Sequence, residues 1–133
     1  MNFEEIEHTA DRAFRVSGRD LPDLLVNAAR AMHALEGIHS AGEPSATQDL
    51  EVEGIDAESL LVNWLNEILF VEQQHQVVCE RFQIREVNGF HLCARIETRK
   101  CADHQSEIKA VTFHNLKVRE TSAGLEAEVV VDV

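Results

Sequence analysis

Three places in the chain hold residue types that do chemistry at short spacing. The first is Glu7-His8-Thr9-Ala10-Asp11, which gathers two carboxylates, an imidazole and a hydroxyl in what reads as a turn between two short strands. The second is the ending Asp132-Val133, where a strand-end carboxylate is followed by the terminal one. The third is Cys101-x-x-His104, which has half of a zinc-site spacing. Hard dications such as Ca²⁺ and Mg²⁺ take oxygen ligands, mostly carboxylates with carbonyls and waters. A turn lets the Asp11 side chain and neighbouring carbonyls converge, and Asp132 and the Val133 carboxylate can project from one strand end. Carboxylates brought together repel, and a cation relieves the repulsion. Spacing alone favours the plainer reading, in which Asp11 is an Asx-turn residue and Asp132 a solvated edge acid.

The other candidates are weaker. His8 shares the turn with Asp11, where it can orient a ligand from behind. Cys101 and His104 with His8 or His114 would suit zinc, but the second half of such a site has no clear spacing, so two polar loop residues are the simpler account. Lys109, beside Glu107, reads by itself as a surface lysine or half of a weak ion pair. His33, His39, His75 and His91 are assigned to helix, loop or strand surface, and Trp64 to the core. There is no Gly-x-Ser-x-Gly elbow, phosphate-binding Gly loop or His-Glu-x-x-His, so nothing marks a hydrolase or a nucleotide site.

The elements that must position these residues follow from periodicity. Residues 3–8 and 13–17 predict short strands. Asp20 is the expected cap of a helix whose apolar stripe runs from Leu21 to Leu35, with Pro22 tolerated in the first turn and Gly37 as the stop. Residues 38–47, with Gly42, Pro44 and two serines, predict a loop, and Leu50 and Val52 a half-exposed strand. Asp56 caps a second helix with Leu60, Leu61, Trp64, Leu65, Ile68 and Leu69 inward, fraying near Gln73-Gln74-His75. The period then becomes two. Asn88-Gly89 signals a hairpin between a strand carrying Val78, Phe82 and Ile84 and a return strand from Phe90 to Glu97. Residues 98–105 predict a polar loop. The phase slips within 108–118, which suggests a bulge near His114-Asn115. After a turn at 121–124 a final strand carries Leu125, Ala127, Val129, Val131 and Val133 on one face. The expectation is one α+β domain over residues 1–133, a two-layer sandwich of two helices packed on a largely antiparallel sheet.

Composition narrows the function. The 24 acids against 12 Lys and Arg leave a net charge of −12. That argues against direct nucleic-acid binding, which needs cations to neutralise phosphates, and suits a hard-cation site or a basic partner. Three cysteines without Cys-x-x-Cys spacing fit a reducing compartment. The acidic start is unlike a signal peptide, and no apolar run reaches the roughly 18 residues of a membrane span. The expected location is the cytoplasm.

Four segments resemble one family. Glu7-His8-Thr9-Ala10-Asp11 is similar to the opening signature of the archease family, and Leu60 to Phe70 (LLVNWLNEILF) to its second helix. Glu107 to His114 (EIKAVTFH) is similar to its most distinctive strand, and Val130-Val131-Asp132-Val133 to its Asp-plus-aliphatic ending. The resemblance implies an accessory protein, not itself an enzyme, for an RtcB-type RNA ligase that joins RNA ends in tRNA splicing or RNA repair using GTP and divalent metal. It would promote guanylylation and multiple turnover of that ligase. By the same resemblance Asp11 and Asp132 are metal ligands, Val133 contributes a main-chain or terminal oxygen, and calcium is the expected ion, with Mg²⁺ or Mn²⁺ the alternatives. Lys109 is implied to act in partner activation, and His8 is grouped with it there. The chain departs from the family before Glu107, where the loop is shortened and the usual Gly-Glu lead-in is replaced by Thr98 to Asp103. The competing readings are a general chaperone or protein-interaction module with an incidental metal site and, ranked below it, a small metal-dependent hydrolase built on Asp11, His8 and Asp132.

Overall fold

The computed structural model describes residues 3–7, 12–103 and 107–133. Strands β1 (Phe3–Glu7) and β2 (Arg12–Gly18) pair antiparallel at the start of the chain. Helix α1 (Leu21–Glu36) follows, with the Asp20 side chain accepting the Asp23 N–H and Gly37 in the left-handed conformation at its end. Next come β3 (His39–Glu53), α2 (Ala57–His75), β4 (Val77–Asn88) and β5 (His91–Asp103). The chain closes with β6 (Ala110–Thr112), β7 (Val118–Thr121) and β8 (Gly124–Asp132). The class is α+β, two helices packed on antiparallel strands, as the periodicity implied.

The strands form two sheets rather than one. The first has the order β1-β2-β8-β6, with β7 also on β8; the second has the order β3-β5-β4. One continuous core joins them. Phe14, Val16, Val129 and Val131 of the first sheet and Leu92, Ala94 and Ile96 of the second close on the buried stripes of α1 and α2. Trp64 lies at its centre, fully buried, and donates its indole N–H to the Leu25 carbonyl at 2.8 Å. That bond satisfies the one polar atom the ring carries inward.

Three local expectations are corrected. Residues 39–47 form the first part of β3, not a loop. Pro44 is tolerated because β3 is an edge strand and its register shifts on both sides of that residue. Residues 98–103 continue β5, because pairing with β3 throughout, and with β4 as far as Lys100, overrides the polar composition. Residues 108–118 are not one bulged strand. β6 and β7 lie end to end along the same edge of β8, separated by a turn in which Asn115 adopts φ 51°. The phase slip at His114-Asn115 marks that turn. The hairpin also sits one residue later than expected: Asn88 pairs with His91, and Gly89 at φ 60° opens the two-residue loop.

Candidate functional site

The C-terminal end of β8 is held between two neighbours. Val131 pairs with Arg12 of β2 on one side and with Val111 of β6 on the other. Arg12 is the residue that follows Asp11 in the sequence. Its guanidinium donates through Nε and Nη2 to both carboxylate oxygens of Glu5 at 3.0 and 3.1 Å, and through Nη1 to the Leu35 carbonyl at 3.1 Å. This single side chain therefore ties β1 and the last turn of α1 to the β2–β8 edge.

Asp132 ends β8 with its side chain exposed, and Val133 beyond it is 43 % exposed. The Lys109 N–H donates to the Asp132 carbonyl at 2.7 Å, extending the ladder one step past the β6–β8 pairing. The Lys109 side chain is exposed. Lysine and aspartate thus stand on adjacent strand ends, one hydrogen bond apart along the main chain. Their reach is different: an acceptor-only carboxylate on a solvated strand end suits a hard cation, and an unburied ammonium suits an anionic group of a partner. Asp11 and His8 lie outside the described residues, as does His104. Cys101 falls in β5, and nothing in the structure tests its side chain as a ligand.

The helices fix the segment that carries Lys109. Ile108 is fully buried, and its N–H donates to Glu36 Oε2 of α1 at 3.3 Å while its carbonyl accepts from Gln73 Nε2 of α2 at 3.1 Å. Val111 is gripped from α2 as well. Asn66 Oδ1 accepts the Val111 N–H at 2.8 Å, and Asn66 Nδ2 donates to the Val111 carbonyl at 3.1 Å. β6 is an edge strand, and Asn66 satisfies the outward main-chain groups that an edge would otherwise leave bare. Asn66 and Gln73 lie seven residues apart, two helical turns, and so share one face. Phe70 stands between them and is 58 % exposed; Phe113, just past β6, is 56 % exposed. Sequence reasoning assigned no role to Asn66, Gln73 or Glu36, and it placed His33 on the helix surface. His33 is instead nearly covered and bonded to Glu72 of α2.

The model of the Archease protein family (MTH1598/TM1083) matches residues 3–133. The chain belongs to the archease family. Among curated relatives, an archease of Methanopyrus kandleri is 40 % identical, with 100 % of both chains covered. One of Methanosarcina barkeri is 32 % identical, covering 98 % of this chain and 95 % of its own. Two solved structures are similar to this fold. The solution structure of Methanobacterium thermoautotrophicum protein 1598 superposes with a TM-score of 0.76 at 29 % identity, covering 98 % of each chain. The crystal structure of a Thermotoga maritima archease, described as a "possible chaperone", gives 0.74 at 28 % identity, covering 98 % of this chain and 96 % of that one. All four segments that carried the archease resemblance fall inside the matched range.

Proposed function

We propose that this protein is an accessory factor for an RtcB-type RNA ligase, promoting its guanylylation and multiple turnover in tRNA splicing or RNA repair. The observation that carries the reading is the 2.7 Å bond from the Lys109 N–H to the Asp132 carbonyl. It joins two of the four archease-like segments at one exposed edge. In this reading Asp132, an oxygen of Val133 and Asp11 hold a divalent cation, calcium in preference to Mg²⁺ or Mn²⁺. The β2–β8 register supports the grouping, since Arg12 faces Val131. The donors are all oxygens, which fits a hard ion. The bound ion would supply positive charge at an otherwise acidic tip. Lys109, with His8, would contact the partner, and the fixed Ile108 main chain keeps the lysine in place without a contact of its own to the ion. The protein acts in the cytoplasm and on the ligase rather than on RNA, consistent with its net charge of −12.

The test is multiple-turnover RNA joining by the cognate ligase with GTP and divalent metal, with this protein substoichiometric. The expected result is a gain in turnover that falls at least tenfold with Lys109→Ala or Asp132→Ala, both of which alter exposed side chains. No gain with the wild-type protein would refute the reading. A second reading, a general chaperone, is favoured by the exposed Phe70 and Phe113 and by the description given to the Thermotoga relative. It predicts that aggregation of unrelated proteins is suppressed, and that Asp132→Ala leaves this suppression intact.

A further inference from the structure

One buried polar cluster lies apart from the exposed end of β8 and touches that edge only through the Glu36 bond to the Ile108 N–H. His33 and Glu36 are three residues apart near the end of α1 and so share a face. Glu72 reaches them from α2. His33 Nε2 and Glu72 Oε2 are 2.5 Å apart, and the same Glu72 oxygen accepts the Cys79 N–H at 2.9 Å. A donor atom from each of His33, Glu36 and Glu72 lies within 4.8 Å of the others. The His33 ring is fixed in turn, stacked on Phe82 with centroids 5.9 Å apart.

Glu36 breaks the pattern of satisfied groups. It is 4 % exposed, one oxygen accepts the Ile108 N–H, and the other, Oε1, has no hydrogen-bond partner among the described residues. A buried carboxylate oxygen without a donor is costly, so such a position ordinarily takes up a proton, a water or a cation. Burial, then the neighbouring Glu72, push the Glu36 carboxyl up to about 7. With both carboxylates ionised the cluster carries surplus negative charge even against an imidazolium, and a dication would take the place of the protons that otherwise offset it.

We propose that His33, Glu36 and Glu72 form a binding site for a borderline transition-metal dication, with zinc the best fit. One imidazole and two carboxylates make a three-ligand set that zinc accepts, with a fourth position for water. The imidazole disfavours Ca²⁺ and Mg²⁺, which prefer oxygen throughout, so the site is separate in its ion from the β8 edge. Tetrahedral ligands at zinc stand about 3.4 Å apart. Binding therefore opens the His33–Glu72 hydrogen bond slightly, draws Glu36 Oε1 inward, and releases the bound protons to solvent. The bound ion would clamp α1 to α2. Through Glu36 and the Ile108 amide it would also stiffen the segment leading to Lys109. A rival cluster, Glu51, His91 and Cys93, lies on the outer face of the second sheet. None of its described side-chain atoms is both buried and without a hydrogen-bond partner.

The experiment is titration of the chelator-stripped full chain with Co²⁺, read by visible absorption, and with Zn²⁺, read by thermal unfolding. The expected result is saturation at a single high-affinity equivalent, with Zn²⁺ raising the midpoint. Glu36→Gln keeps an acceptor for the Ile108 N–H, so it should fold as the wild type does while weakening Co²⁺ binding at least tenfold. His91→Ala should bind as the wild type does. Absence of binding by the wild type overturns the proposal, as does unchanged binding in a folded Glu36→Gln or a loss that follows His91→Ala instead. None of these outcomes depends on the ligase.

Discussion

Asn66 illustrates what a single side chain does for the candidate edge. Its carboxamide closes both main-chain groups of Val111, a residue 4 % exposed. Asn66→Ala leaves a buried donor and a buried acceptor unpaired, and the expected cost is about 2 kcal/mol or more. Denaturant unfolding should show a lower midpoint with an unchanged slope. Because β6 is then released from α2, ligase stimulation should also fall, although Asn66 is remote in sequence from both Lys109 and Asp132. If stability drops and stimulation does not, β6 is not needed to position Lys109. Such residues were not legible in the sequence. Asn66, Gln73 and Glu36 each bond the main chain of a segment 35 to 72 residues away. A side chain that pairs with distant backbone leaves no periodicity and no motif. Asp132, Val133 and Lys109 were named from the family resemblance, with strand parity adding only that Asp132 faces away from the core; the structure places Lys109 and Asp132 on adjacent strand ends. Asp11 and His8 rest on the resemblance and the turn chemistry alone.

At the scale of elements, the helices were read correctly because their signals are local. Asp20 and Asp56 cap them as their sequence positions implied, and the second cap is reciprocal: Asp56 Oδ1 accepts the Ser59 N–H at 2.7 Å while Ser59 Oγ accepts the Asp56 N–H at 3.1 Å. The strands were read less well, since β3 and the end of β5 owe their existence to partners rather than composition. The Asp56 cap gives a prediction in pH. The Ser59 N–H holds the Asp56 carboxyl below its ordinary value of 3.8. A carboxyl depressed in the folded state stabilises fully above its unfolded value, and that contribution is lost as pH falls through the folded one. Asp56→Ala should therefore lower the thermal midpoint at neutral pH. The difference from wild type should shrink progressively below about pH 4. A gap that persists unchanged at pH 2 would show that the carboxylate charge is not what stabilises α2.

At the scale of the molecule, half of the twelve Lys and Arg side chains are engaged in ion pairs among the described residues. Arg12, Arg15, Arg19, Arg81, Arg95 and Arg99 each meet a carboxylate within ion-pair distance. Lys109 has no such pair among the described residues and stands exposed just before β6, with the exposed Phe113 just past the other end of that strand. A body of net charge −12 that exposes Lys109 and, four residues on, Phe113 has two separable terms for association. If the proposed function holds, the field of the whole chain steers it toward a basic surface of the ligase and sets the on-rate. The local contacts at the edge set the residence time. Stopped-flow association with the cognate ligase should slow about tenfold or more between low salt and 0.5 M salt, as the Debye length contracts to a few ångströms. Phe113→Ser should raise the dissociation rate and leave the salt dependence of association unchanged. Lys109→Glu places a negative charge where the proposed function has a positive one meet the partner. It should reduce stimulation of turnover far more than it alters the on-rate, because one charge among many barely changes the field. An on-rate indifferent to salt would show that the acidic surface is a solubility feature with no part in finding the partner.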